Sequence, residues 1–287
     1  MLTLILQVVA NGVLIGSIYG LAALGLTLVW GIMDVVNLAH GEFILIGAYL
    51  CYWLFVGWGV SPLLAFALAI PVGVLVGAVT HLLLIRPVVG KPALTTLLLT
   101  FGLSISLNNL MLNVFSPDVR MIRWAQQSVF VGPLVLPSTR LIAFGVVLLM
   151  TAALYLFLER TYPGRGIRAL MQDAEAAAVL GVNIHRILLL AFVIGTIFAV
   201  VAGALVSVVL PFDPAIATPL GITAFVVVVV GGLGRPLGAM LGGVLVGLVE
   251  SFTGTFISQA YAPATVSFLL ILFLLVRPAG LFGTTLR

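Results

Sequence analysis

The sequence predicts an all-α, polytopic integral membrane protein with about 8–9 transmembrane helices. Three observations carry that prediction. Hydrophobic residues make up 63% of the 287-residue chain and charged residues only 7%, which leaves too few polar groups to cover a water-soluble globule. The apolar residues come in unbroken runs of helix-spanning length rather than in the alternating pattern of a membrane barrel, and a helix satisfies its own backbone hydrogen bonds in lipid. The charges are gathered: 159–186 alone holds Glu159, Arg160, Arg165, Arg168, Asp173, Glu175 and Arg186, out of twelve basic and eight acidic residues in the chain.

Spans are expected at 7–30, 43–60, 62–85, 93–115, 141–159, 187–210, 216–233, 237–258 and 262–277. The first lacks a basic leader and a small-residue cleavage site, so it is expected to be a retained span and not a signal peptide. Orientation follows from Lys and Arg, which collect in cytoplasmic loops. Arg86 with Lys91, Arg160 to Arg186, Arg235, and Arg277 with Arg287 mark the inner face. Alternation then puts 116–140 outside although it holds Arg120, Arg123 and Arg140, and its Asp118, Trp124 and prolines suggest a folded external cap. The same parity demands a turn at GGLGRP, 231–236, and leaves 31–42 either at the inner face or re-entering the membrane. The chain 1–287 is read as a single transmembrane domain, with 160–186 a cytoplasmic loop.

Several function classes are excluded. The net charge of +4 is scattered at the ends of apolar runs and forms no basic patch, so no nucleic-acid partner is expected. Cys51 is the only cysteine, has no ligand-type neighbour at useful spacing, and reads as a small buried hydrophobe. His40-Gly41-Glu42 lacks the second histidine of a zinc motif, and no Gly-x-Ser-x-Gly turn occurs. No catalytic residue, cofactor or metal is expected.

The segment GIMDVVNLAHGEFILIGAY, 31–49, sets Asp34, Asn37, His40 and Glu42 between two apolar helices, with Gly41 opening the second. Ionisable groups at membrane depth usually face a cavity or the bundle interior. A broken helix whose N-terminus points inward also presents free N–H groups and a positive dipole end to an anion. Asn37, His40 and Glu42 are therefore the candidate residues of a translocation path. The alternative is plain hydration of these groups at the membrane interface.

Shifting the chain by 180 residues lays 12–41 on 192–221, Gly41 on Gly221, and the break GIMDVVNLAHG on PFDPAIATPLG. A helix, an interruption with Asp and small or Pro residues, a Gly and another helix recur, which predicts a two-fold internal structural repeat with discontinuous helices at matching positions. Gly12, Gly16 and Gly20, and Gly238, Gly242, Gly243 and Gly247, permit close helix contact. Asn11, Ser104, Ser106, Asn108 and Asn109 either line a path or bridge helices.

In 159–186, Tyr162-Pro163-Gly164 is expected to end a span, and Gly166 to Leu180 to form one helix with Ile167, Leu170, Met171, Ala174 and Ala178 on one face. Gly181 would cap it in the left-handed conformation. Such a short helix needs a dock, and its Ala-rich surface with mixed charge suits a protein groove better than a lipid surface.

Glu175-Ala176-Ala177, three residues and Gly181 is similar to the EAA-x-x-x-G coupling motif of bacterial ABC importer permeases. Together with 31–49 and VVVVVGGLGRPLGAMLGG, the stretch GRGIRALMQDAEAAAVLGVN resembles, more narrowly, the branched-chain amino-acid permeases of the LivH type, and the resemblance covers essentially the whole chain. The downstream Ile and Leu-Pro of the general coupling motif are missing at the expected places, so the docking geometry of other importer classes does not carry over.

The resemblance implies a multi-pass permease subunit of the bacterial inner membrane that imports leucine, isoleucine or valine. It implies a paralogous permease or a second copy as partner, two cytoplasmic ABC ATPases and an extracytoplasmic binding protein. ATPase coupling would fall on Arg168, Asp173, Glu175, Ala176, Ala177 and Gly181. The chain itself has no nucleotide-binding Gly-x-x-x-x-Gly-Lys-Ser/Thr loop. The same pattern accommodates a permease for urea, short amides or other amino acids. An ion-coupled carrier would need a midplane carboxylate, for which Asp34, Glu42, Asp213 and Glu250 are the candidates, and a structural scaffold is disfavoured by the broken polar helices.

Overall fold

The computed structural model describes residues 1–125, 127–277 and 279–282. Its helices are α1 (Leu2–Met33), α2 (His40–Trp58), α3 (Pro62–Thr80, continued by a π turn His81–Ile85), α4 (Ala93–Phe115), α5 (Ser138–Arg160), α6 (Tyr162–Gln172), α7 (Ala174–Val179), α8 (Ile184–Val209), α9 (Ala217–Gly231), α10 (Pro236–Thr253) and α11 (Ala262–Val276). Among the described residues, eight helical segments are long and apolar enough to cross a membrane. The last of these, Pro236–Val276, holds both α10 and α11. The chain reverses between them at extended Ser258, and the Leu281 N–H donates to the Val230 carbonyl at 2.8 Å, so α11 returns to the end of the bundle where α10 began.

The centre is made by α1 and α8, which are apolar on all sides, as fully surrounded helices must be. α1 packs along α10, α8 along α2 and α3, and the two cross at Gly25 and Gly195. The glycine pattern is consumed by these crossings. A Cβ on Gly16 would stand 2.5 Å from the Gly243 carbonyl oxygen, while Gly238 and Gly242 face Gly231 of α9 instead. Backbones at that separation gain dispersion contact that no bulkier residue permits.

The segment 116–140 is folded, through a two-residue turn between β1 (Ser128–Val131) and β2 (Leu134–Pro137). It ties to α1, because the Gln7 amide donates to the Val135 carbonyl at 2.8 Å and accepts from its N–H at 3.0 Å. Two of its arginines are used internally. Arg140 donates to Asn11 Oδ1 at 2.8 Å. Arg120 lies over the rings of Tyr49, Tyr52 and Trp53, at 5.8, 5.2 and 5.2 Å. Side chains held this way carry structure and are weak guides to which face of the membrane a segment lies on.

The turn expected at 231–236 is present, with Gly232 and Gly234 at positive φ of 102° and 72°. The segment 159–186 departs from expectation in detail. Thr161 breaks the chain, and its Oγ1 accepts from the Gly164 N–H at 3.0 Å, so Pro163 opens α6 instead of closing α5. The expected helix 166–180 is two helices, parted at extended Asp173, whose Oδ1 caps α7 by accepting from the Ala176 N–H at 3.0 Å. An aspartate that can bond its own backbone ahead competes well with helix continuation. Gly181 takes the expected left-handed φ of 83°, and the Val182 N–H returns to the Ala177 carbonyl at 3.1 Å.

Candidate functional site

α1 ends at Asp34, which adopts left-handed φ 51° and donates its N–H to the Trp30 carbonyl at 3.1 Å. Residues 34–39 then climb back into the bundle. His40, first in α2, has its Nε2 2.9 Å from the carbonyl oxygen of Ala22. Ala22 precedes the end of α1 by eleven residues, about 17 Å of helix at 1.5 Å per residue. The break is therefore re-entrant, and α2 starts deep inside. It is stiffened by Asn37, whose Oδ1 accepts from the Ala39 N–H at 3.1 Å.

A second break follows α8. Asp213 Oδ1 accepts from the Ile216 N–H at 3.1 Å and opens a short turn, Pro214–Ile216, that runs into α9. The first turn of α9 lies against the first turn of α2, since a Cβ on Gly41 would meet the Ala217 carbonyl and stand 3.1 Å from the Gly221 nitrogen. Two helix N-termini thus meet inside the bundle, each with the positive end of its dipole.

Beside them lies a cavity of about 480 Å³. Its polar lining is Asn37, Glu42, Ser104, Asn108, Asn109 and Thr218; its apolar lining includes Leu26, Ile105, Ile222 and Phe225. α4 closes one side through three side chains spaced one turn apart. Thr100 donates to the Val36 carbonyl at 3.0 Å, Ser104 to Glu42 Oε1 at 2.7 Å, and Asn108 to the Pro214 carbonyl at 2.9 Å. One helix face thereby grips the first break, the start of α2 and the second break. Glu42 is 1% exposed, and its Oε2 has no hydrogen-bond partner among the described residues. A buried polar atom left in this state is costly unless something satisfies it.

Of the three path candidates, the structure puts Asn37 and Glu42 on the cavity. His40 is not among its lining residues; buried on the Ala22 carbonyl, it ties α2 to α1. Ser104, Asn108 and Asn109, which the sequence left between two roles, line the cavity, and Thr218 was not singled out at all. A polar ladder at i, i+4, i+8 on α4 was the available signal for Thr100. Asp34 and Asp213 serve as caps at the two breaks, whereas Glu250 lines a second cavity of about 540 Å³ with Tyr19 and Gln259.

The coupling candidates lie together at the opposite end from the hairpin. Arg168, Asp173, Glu175, Ala176 and Gly181 are exposed, but Ala177 is buried against its own chain. What α7 offers outward is Ala174, Ala178, Val179 and Leu180, the last two 88% and 82% exposed.

A family model described as "Branched-chain amino acid transport system / permease component" matches residues 8–276. The chain belongs to this permease family. It is 34% identical over 293 residues to the permease protein BraD of Pseudomonas aeruginosa, covering 97% of this chain and 95% of BraD. It is 34% identical to the permease protein LivH of Escherichia coli K12, with the same two coverages, 97% and 95%. The E. coli permease protein LivM is 29% identical, over 93% of this chain and 68% of LivM. Both LivH and LivM are named as permeases of a high-affinity branched-chain amino acid transport system. The solved structure of PsaBC from Streptococcus pneumoniae in complex with Fab has a similar fold, with a TM-score of 0.52 at 13% identity over 95% of this chain and 93% of that one. Family and helices together make this permease a multi-pass protein of the inner membrane.

Proposed function

We propose that this permease is a membrane subunit of an ATP-driven importer of branched-chain amino acids, and that the cavity between α4 and the two broken helices is a station on its path. The observation that carries this reading is the meeting of the α2 and α9 N-termini beside the buried carboxylate of Glu42. A zwitterion needs an anion-favouring end and a cation-favouring group a few ångströms apart, with apolar walls for its side chain. Helix N-termini favour the carboxylate, Glu42 favours the ammonium, and Leu26, Ile105, Ile222 and Phe225 suit an aliphatic side chain.

On this reading the partners are a second, related permease, two cytoplasmic ATPases and an extracytoplasmic binding protein. The segment Asp173–Gly181 is the contact for an ATPase, with Val179 and Leu180 as its apolar tip and Arg168, Glu175 and Ala176 around it. Closure of the ATPases would push on α6 and α7, and α6 transmits to α1 and to the α9–α10 turn through Met171, which touches Gly31 and Gly234. The two-fold repeat belongs to the same reading. α1 packs on α10 as α8 packs on α3, and the 180-residue shift carries Val36 and Glu42 of the first cavity onto Ile216 and Ile222 of the second.

The test is uptake of labelled leucine into membrane vesicles holding the whole importer, with excess urea and short amides as competitors. ATP-dependent uptake that urea leaves untouched is expected. Uptake that persists without ATP and follows a Na⁺ or H⁺ gradient would overturn it.

A further inference from the structure

α4 is weakly embedded, with only Thr96, Thr100 and Met111 of its 23 residues buried, and it is polar on two sides. Its inner side holds Thr96, Thr100, Ser104 and Asn108. At 100° per residue, Thr95, Gly102, Ser106, Asn109 and Asn113 fall on the side directly away from the bundle, and all five are exposed. In this chain, Ser106, Asn109 and Asn113 only bond back to carbonyls four residues earlier, at 2.7, 2.8 and 2.9 Å. That leaves each carboxamide an oxygen and an N–H for something else.

The outward sides of α3 and α5 show Leu68, Leu75, Leu83, Leu148, Leu149 and Leu156, whereas on α4 the exposed Leu94, Leu98, Ile105 and Leu110 flank a polar stripe. Asn109 lies between the centre of α4 and its end and Asn113 in its last turn, and a carboxamide facing hydrocarbon is costly, so such groups normally find a partner helix or water. Asn109 also lines the 480 Å³ cavity, so the polar stripe runs into the cavity's open side.

We propose that the outward stripe of α4 is the seam on which a second permease of the same fold docks, completing the wall of the cavity. This rests on the transport reading only for the cavity's use; the seam stands on the chemistry of α4. The occupant must itself sit at membrane depth, which rules out an ATPase or a binding protein. The stripe is neutral and holds donors and acceptors alike, so it is complementary to its own kind, and Gly102 admits a close helix crossing. Chains of this fold occur as two types of permease, LivH and LivM, and this one is similar to both.

The experiment places the photocrosslinker p-benzoylphenylalanine at Asn109 or Asn113, with Leu149 as the lipid-facing control, in membranes that contain the assembled importer. Illumination should produce, from positions 109 and 113 but not from 149, an adduct heavier than the 30.2 kDa chain by the mass of a second permease, which mass spectrometry identifies. The double variant Asn109→Leu, Asn113→Leu should reach the membrane normally and co-purify at least tenfold less of that second permease. Lipid adducts alone at both positions, or undiminished pairing of the double variant, would overturn the seam. If the adduct forms while membranes holding the unsubstituted importer show no ATP-dependent leucine uptake, the seam stands and the transport reading falls.

Discussion

Gly41 and Gly221 meet backbone to backbone inside the bundle, although 180 positions separate them in the chain. The contact is asymmetric: a Cβ on Gly221 would stand 3.3 Å from the Gly41 nitrogen, whereas one on Gly41 would press into the Ala217 carbonyl. Gly41→Ala is expected to destabilise by about 1–3 kcal/mol, as overpacking does, and Gly221→Ala by less. Thermal unfolding of the purified protein in detergent measures both; equal shifts would contradict the geometry.

Ser104→Ala removes the one side-chain hydrogen bond described for Glu42, and an unmade bond to a buried carboxyl costs about 1–3 kcal/mol. Glu42→Gln keeps the size and the Ser104 bond but loses the charge. Under the proposed function, leucine uptake should fall at least tenfold (roughly 1.4 kcal/mol) with membrane abundance unchanged. Uptake at the wild-type level would remove Glu42 from the path.

His40→Ala is expected to behave differently. The imidazole bonds the Ala22 carbonyl and is not a lining residue of the cavity, so stability should drop by about 1 kcal/mol or more while the concentration dependence of uptake stays put. A changed apparent affinity for leucine with unchanged melting would reverse that assignment.

Arg120→Gln should lower the melting temperature, because the guanidinium covers three aromatic rings of α2 and donates to the Phe115 carbonyl at the end of α4, while the backbone bridge from Arg120 to Phe212 stays in place. Arg120→Lys should restore only part, since a compact ammonium cannot lie flat across several rings. Full rescue by lysine would show that charge alone matters there.

At the coupling end, Asp173→Ala should cost α7 about 1 kcal/mol through its lost cap, and Asp173→Asn much less. Val179→Ser with Leu180→Ser should leave folding intact, since both side chains are exposed, but weaken retention of the ATPases during purification. Unchanged retention would move the contact away from α7.

Much of this protein was decided by local chemistry and is readable without a structure. Runs of apolar residues of spanning length become helices wherever they sit, Gly181 supplies a left-handed cap that residues with a Cβ resist, and Gly232 to Pro236 cannot continue a helix. The glycine spacings announced close crossings for the same reason. Tertiary structure alone decided which helices use them: Gly16 meets α10, while Gly242, on α10, meets α9. It also decided that 34–39 re-enters, because that depends on an Ala22 carbonyl being available to His40, and that Glu42, not His40, reaches the cavity with Ser104 of α4. These are contacts between residues far apart in the chain, whose energies depend on burial and distance, and no local pattern encodes either.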